Sequence, residues 1–158
     1  MTVRVQTDDF DVSAEMAALR ASNPKIGAVA SFVGLVRDLN EGTGVATMTL
    51  EYYPGMTERA LEKIIIEAKA RFDIFEVCVI HRVGTLQPLD QIVLVITTSA
   101  HRGEAFRSCE FVMDYLKTEA PFWKKEATPQ GERWVESRDS DANAAARWQA
   151  RAHLIQAK

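Results

Sequence analysis

Two stretches of this chain, residues 57–72 and 103–118, repeat apolar side chains at helical spacing, and that pattern limits the folds open to it. In the first, Leu61, Ile64, Ile65, Ala68 and Phe72 make one apolar stripe, with Glu62, Lys63, Glu67 and Lys69 on the wet side. In the second, Ala105, Phe106, Cys109, Val112, Met113 and Leu116 form the stripe expected to be buried. Pro121 ends that helix, because a proline disfavours helical geometry at the residue before it. Around the two helices lie runs of strand character at 2–6, 27–37, 45–53, 77–83 and 91–98, and a bent strand pair over 122–135 around Pro129-Gln130-Gly131. Helices and strands do not alternate strictly, so the expected class is α+β.

Finer signals add detail. Asp11-Val12-Ser13 offers a cap to a short helix over 14–20, and Thr57, following the Pro54-Gly55 break, is expected to cap the first long helix. Gly34 inside the 27–37 strand marks a bulge or a close approach to the backbone. Asn40-Glu41-Gly42-Thr43-Gly44 reads as a turn, so the flanking strands 27–37 and 45–53 are expected to pair as a hairpin with a mobile loop. Residues 84–90 read as a turn, and the alanine-rich, polar stretch 139–158 as a terminal helix that frays.

The 158 residues are 47% hydrophobic, enough for the core of one domain without disulfide or metal staples. A formal charge of -3, from 19 Lys+Arg against 22 Asp+Glu, argues against a chain-wide electrostatic grip on nucleic acid. Cys78 and Cys109 sit in apolar runs and read as small buried hydrophobes rather than a disulfide or redox pair. No CxxC or Cys/His cluster signals zinc, no cofactor is called for, and no apolar run of about 18 residues predicts a membrane span. Without a leader pattern at the N-terminus, the cytoplasm is the expected compartment.

Four basic features stand apart: Arg37 at a strand end, His101-Arg102 at a strand-to-helix junction, Lys117 closing the second long helix, and Lys124-Lys125-Glu126 just beyond Pro121-Phe122-Trp123. Each has an ordinary explanation. A lysine in the last helical turn complements the helix dipole, a strand-end arginine is usually solvated, and paired lysines guard an edge strand against aggregation. Together they suggest more. The first helical turn exposes unpaired N–H groups, so His101 and Arg102 make a phosphate seat. Lys117 and Lys124 flank one bend, and two ammonium groups partly desolvated by Phe122 and Trp123 disfavour each other's protonation, leaving one able to act as a nucleophile. Arg102 and Lys117 lie 15 residues apart in one helix, which at 1.5 Å per residue is about 22 Å. One small substrate hardly touches both, so either there are two sites or two subunits share one across a two-fold axis.

At these residues the chain resembles the large, catalytic subunits of molybdopterin synthase. The matching stretches are Phe32-Val33-Gly34-Leu35-Val36-Arg37, Leu50-Glu51-Tyr52-Tyr53-Pro54-Gly55-Met56, Ile80-His81-Arg82-Val83-Gly84, Ser99-Ala100-His101-Arg102 and Met113-Asp114-Tyr115-Leu116-Lys117. The last continues through Ala120-Pro121-Phe122-Trp123-Lys124-Lys125-Glu126, the most specific block, and the likeness runs from about Gly27 to Trp148.

The resemblance implies an α/β hammerhead-like fold with an additional antiparallel sheet. It implies sulfur transfer in molybdenum cofactor biosynthesis, converting cyclic pyranopterin monophosphate into the dithiolene of molybdopterin. The sulfur would come from the C-terminal Gly-Gly thiocarboxylate of a small ubiquitin-like carrier subunit. Two large subunits would form a central homodimer with a carrier at each outer end, a heterotetramer. By resemblance, Arg37 with the backbone of Leu35 and Val36, and His101-Arg102 from the opposite subunit, hold the pterin and its phosphate. The same resemblance implies that Lys117 would be the main catalytic residue, that Lys124 would assist by stabilising negative charge, that Lys125 and Glu126 would line the substrate site, and that Arg138 would join from across the dimer. Two rivals remain at this level: a non-catalytic module that only receives the carrier's tail, and a phosphoryl or acyl transferase using His101. The second lacks a Walker-type loop or a Ser/His/Asp signature.

Overall fold

Residues 77–80 and 93–96 are apolar at every position, the pattern of strands covered on both faces, and they form the centre of the main sheet. The computed structural model describes residues 1–40, 43–44, 47–135 and 139–156. In chain order the elements are β1 (Thr2–Gln6), α1 (Val12–Arg20), β2 (Ala28–Leu35), β3 (Leu39–Asn40), β4 (Thr43–Gly44), β5 (Thr47–Tyr52), α2 (Met56–Arg71) and β6 (Val77–Arg82). Beyond these lie β7 (Gly84–Leu86), β8 (Gln91–Ser99), α3 (Arg102–Glu119), β9 (Phe122–Thr128), β10 (Gly131–Val135) and α4 (Asp139–Gln156). The class is α+β. One sheet has the order β1-β6-β8-β2, with only β1 and β6 parallel, and an antiparallel sheet has the order β10-β9-β5-β7.

Side chains alternate across a strand, so β6 and β8 feed two cores. Val77, Val79, Val93 and Val95 face α2 and α3 and pack with Leu61, Ile65, Phe111 and Leu116. Cys78, Ile80, Leu94 and Ile96 face the other way, against Phe10 and the Met16 and Leu19 side chains of α1. The antiparallel sheet has its own smaller core of Val36, Met48, Leu50, Val83 and Leu86. Both cysteines are buried free thiols, and burial pushes Cys78 up to about 11 and Cys109 to about 12. α4 is anchored by Trp148, whose indole N–H donates to Asp114 at 2.8 Å and whose ring meets Phe72 and Phe111 edge-on. Among the described residues no helix is long and apolar enough to cross a membrane.

Four expectations are corrected. The strands 28–35 and 47–52 do not form a hairpin: β2 pairs with β8, while β5 pairs with β7 and β9. Burying the even-numbered Met48 and Leu50 requires the second sheet, which outweighs adjacency in sequence. The short β3 and β4 pair antiparallel around that turn, and Glu41 and Gly42, with the mobility expected there, lie outside the described residues. Thr57 does not cap α2. The cap position is Gly55, whose N–H donates to the Glu58 carboxylate at 2.6 Å, and Thr57 is buried as the second residue of the helix. Phe106 is 65% exposed rather than in the α3 stripe, because Ala105, Ser108, Cys109 and Val112 fill the buried face. The segment 84–90 opens with a strand, β7, before it turns.

Gly34 meets its expectation in both forms. The register of β2 against β8 shifts between Gly34 and Leu35, and a Cβ at Gly34 would lie 2.7 Å from Val93 Cγ1.

Candidate active site

α3 ends at Glu119, and the bend through Ala120 and Pro121 into β9 brings two lysines to one cleft. Ala120 turns to extended backbone, its N–H still donating to Leu116 at 3.3 Å, and Phe122 N–H donates back to Ala120 at 3.0 Å. Lys117 stands in the last turn of α3, exposed, and Lys124 is half-buried on β9. In the antiparallel register Lys124 lies opposite Leu50 on one side and Val135 on the other, so the three side chains share a face. That face and the end of α3 enclose a cleft of about 90 Å³ lined by Lys117, Lys124, Leu50, Leu116, Phe122, Val135, His81 and, from α4, Asp141.

The bend is held from behind. The buried Thr57 hydroxyl donates to the Pro121 carbonyl at 3.0 Å and accepts from the Tyr53 N–H at 3.1 Å. Phe122 is fixed by stacking on the His81 ring, with centroids 3.8 Å apart and planes 19° from parallel.

His81 lies in the Ile80-His81-Arg82-Val83-Gly84 stretch, but the resemblance assigns it no role. It follows a wholly apolar strand segment and so reads as an ordinary core residue. The available signal is strand parity: an odd position after Val77 and Val79 must face α3. Burial, and then the positive charges of Lys117 and Lys124, push the imidazole down to about 3, so it is neutral at physiological pH.

Strand alternation separates Lys125 from this cleft. Its register partners are Thr49 and Trp134 on the opposite face, where it pairs with Glu132 at 3.0 Å and lies 5.7 Å from the Trp134 ring centre. Glu126 shares the face of Lys124 but is buried against Arg133 at 3.2 Å, farther along β9. It is a buried ion-pair partner rather than part of the cleft lining.

The other predicted residues sit elsewhere on this chain. His101 and Arg102 are exposed at the start of α3, at the opposite end from Lys117. Ser99 shapes their approach, its hydroxyl donating to Asp73 at 2.7 Å and accepting from the His101 N–H at 3.2 Å. Gly27 packs against this junction, where a Cβ would fall 2.4 Å from the Ala100 carbonyl oxygen. Leu35 and Arg37 are exposed just beyond the bulge. Val36 is buried, with its N–H donated to Asp90 at 2.9 Å and its carbonyl accepting from Leu89 at 2.8 Å, so its amide is committed to the fold. Arg138 lies outside the described residues.

Comparison with known proteins agrees with this architecture. Residues 5–119 match the model of the family described as MoaE protein. The chain belongs to the MoaE family. It is 64% identical over 147 residues to the molybdopterin synthase catalytic subunit of Ralstonia nicotianae, covering 93% of this chain and 84% of that one. It superposes on the molybdopterin biosynthesis MoaE protein of Burkholderia ambifaria with a TM-score of 0.82 at 67% identity, covering 94% and 97% of the two chains. At 20% identity it shares the fold, TM-score 0.70, of a Helicobacter pylori structure described as a complex of subunits 1 and 2 of molybdopterin-converting factor, covering 86% and 91%. This MoaE-family chain is therefore an enzyme of molybdopterin synthesis. Two amine side chains, a neutral imidazole and one carboxylate meet apolar walls in this cleft, a set of groups able to support acyl chemistry.

Proposed function

We propose that this chain performs the sulfur-transfer step itself, converting cyclic pyranopterin monophosphate to molybdopterin with sulfur from the C-terminal Gly-Gly thiocarboxylate of a small ubiquitin-like carrier. The observation that carries the reading is the meeting of Lys117 and Lys124 on one cleft from two backbone arms. The carrier's tail enters that cleft with its carbonyl beside Lys117, which acts as proton donor or transient nucleophile. Lys124 stabilises the negative charge that develops as sulfur leaves. The partially apolar lining strengthens both interactions by displacing water. Each delivery leaves the tail as a plain carboxylate, and two deliveries make one dithiolene.

Arg37 and the exposed His101 and Arg102 take the pterin and its phosphate, an anion suited to a helix N-terminus. About 22 Å of helix separates that end from Lys117, so the His101 and Arg102 that serve each site come from a second copy of the chain. Two features support a second copy: β2 is an edge strand of its sheet, and its Phe32 and Leu35 are 42% and 48% exposed. The carrier is supported by the Helicobacter pylori fold relative, a complex of two subunits.

The test is to incubate the purified chain with thiocarboxylated carrier and cyclic pterin and assay dithiolene. Lys117→Ala should abolish product while carrier binding persists. Weakened binding in that variant, with no product from the unaltered chain, would instead identify a module that only receives the tail.

A further inference from the structure

His81 lies next to last in β6, buried, on the face turned to α3. Its Nδ1 is 2.8 Å from the Arg82 carbonyl oxygen. A carbonyl only accepts, so Nδ1 carries the ring proton and Nε2 keeps its lone pair. The stack on Phe122 fixes the ring plane. Charged groups reach this cleft from three elements: Lys117 on α3, Lys124 on β9 and Asp141 on α4. The strand neighbours Val5 and Val93 are apolar, and the adjacent Arg82 guanidinium is held by the Thr7 and Gln91 carbonyls.

We propose that His81 is a positioning residue for Lys117: on the cleft that both side chains line, its unprotonated Nε2 is the acceptor toward which the lysine Nζ turns during the reaction, and that contact aims the Nζ at the carrier's carbonyl. The assignment rests on the sulfur-transfer reading, since it gives His81 a part in that reaction. A neutral acceptor suits the task better than a carboxylate. A carboxylate would hold Lys117 as an ammonium ion, whereas an imidazole orients the group and still lets it give up a proton. Of the two lysines, Lys117 has the larger effect on the imidazole's charge.

The test combines nitrogen NMR of the histidine rings with two variants. In the unaltered chain His81 should show a protonated Nδ1 and bare Nε2, unchanged between about pH 5 and 8, and Lys117→Met should shift the Nε2 resonance. His81→Phe keeps the stack and removes the acceptor. It should lower kcat about ten- to a hundredfold at unchanged carrier KM and displace the pH–rate profile. His81→Gln, whose amide oxygen can accept, should recover most of that loss. An Nε2–H tautomer, an Nε2 resonance indifferent to Lys117→Met, or unimpaired kcat in His81→Phe would overturn the proposal. So would equal losses in both variants with equally lowered melting temperatures, which would make His81 a packing residue only. If the unaltered chain makes no dithiolene, the sulfur-transfer reading fails, while the tautomer and the Lys117→Met response still decide the His81–Lys117 bond.

Discussion

Thr57 and Pro121, 64 positions apart in the chain, are joined by a 3.0 Å hydrogen bond from hydroxyl to carbonyl, and that bond sets the bend on which Lys117 and Lys124 converge. The same oxygen accepts from the Tyr53 N–H, so one buried side chain ties the end of β5 and the start of α2 to the end of α3.

Thr57→Val keeps the shape and leaves the half-buried Pro121 carbonyl and Tyr53 N–H without that partner. It should cost about 1–3 kcal/mol of stability and lower turnover more than the lost stability explains, because the two lysines lose their common reference. Urea unfolding and turnover measured on the same preparation would separate the effects. Unchanged turnover would mean that the bend holds its shape without this bond.

Gly27 offers a second structural test, at the far end of α3. A methyl there would meet the Ala100 carbonyl oxygen at 2.4 Å, and backbone cannot swing aside as a side chain can. Gly27→Ala should cost about 1–3 kcal/mol through overpacking, read from the urea midpoint. It should also weaken pterin binding, since the displaced segment leads into His101 and Arg102. A variant as stable as the parent would show that β2 shifts freely there.

His81 makes stability depend on acid. Its pKa falls to about 3 in the folded chain, against an ordinary value of about 6.5 when unfolded. Above about pH 6.5 the ring is neutral in both states. Between about 6.5 and 3 the unfolded chain takes up a proton that the folded chain refuses, so stability falls with pH by up to about 1.4 kcal/mol per unit. His81→Phe should lose less stability than the parent between about pH 6.5 and 4.5, as denaturant melts at the two pH values would show. Parallel losses would place the acid sensitivity in other groups.

Much of the fold is legible in the sequence where the physics is local. The stripes of α2 and α3, the Asp11 cap and the burial of both cysteines follow from periodicity and composition. Strand partners are not legible, because β5 pairs with β9 about 70 residues away and no local pattern encodes that choice. Phe106 shows the limit of helical spacing: a stripe defines a direction, and only the packed sheet defines its width. Lys125 is separable from Lys124 by strand parity alone. His81 needs parity together with knowledge of which helix end lies opposite.

The shared-site claim is tested most directly by dimers mixed from two damaged chains, one carrying Arg102→Ala and the other Lys117→Ala. If each site takes Lys117 from one copy and Arg102 from its neighbour, such a dimer retains one intact site and about half the parent's dithiolene production. If each site is built within one chain, both are damaged and the mixed dimer makes no more product than either variant alone, which would contradict the account.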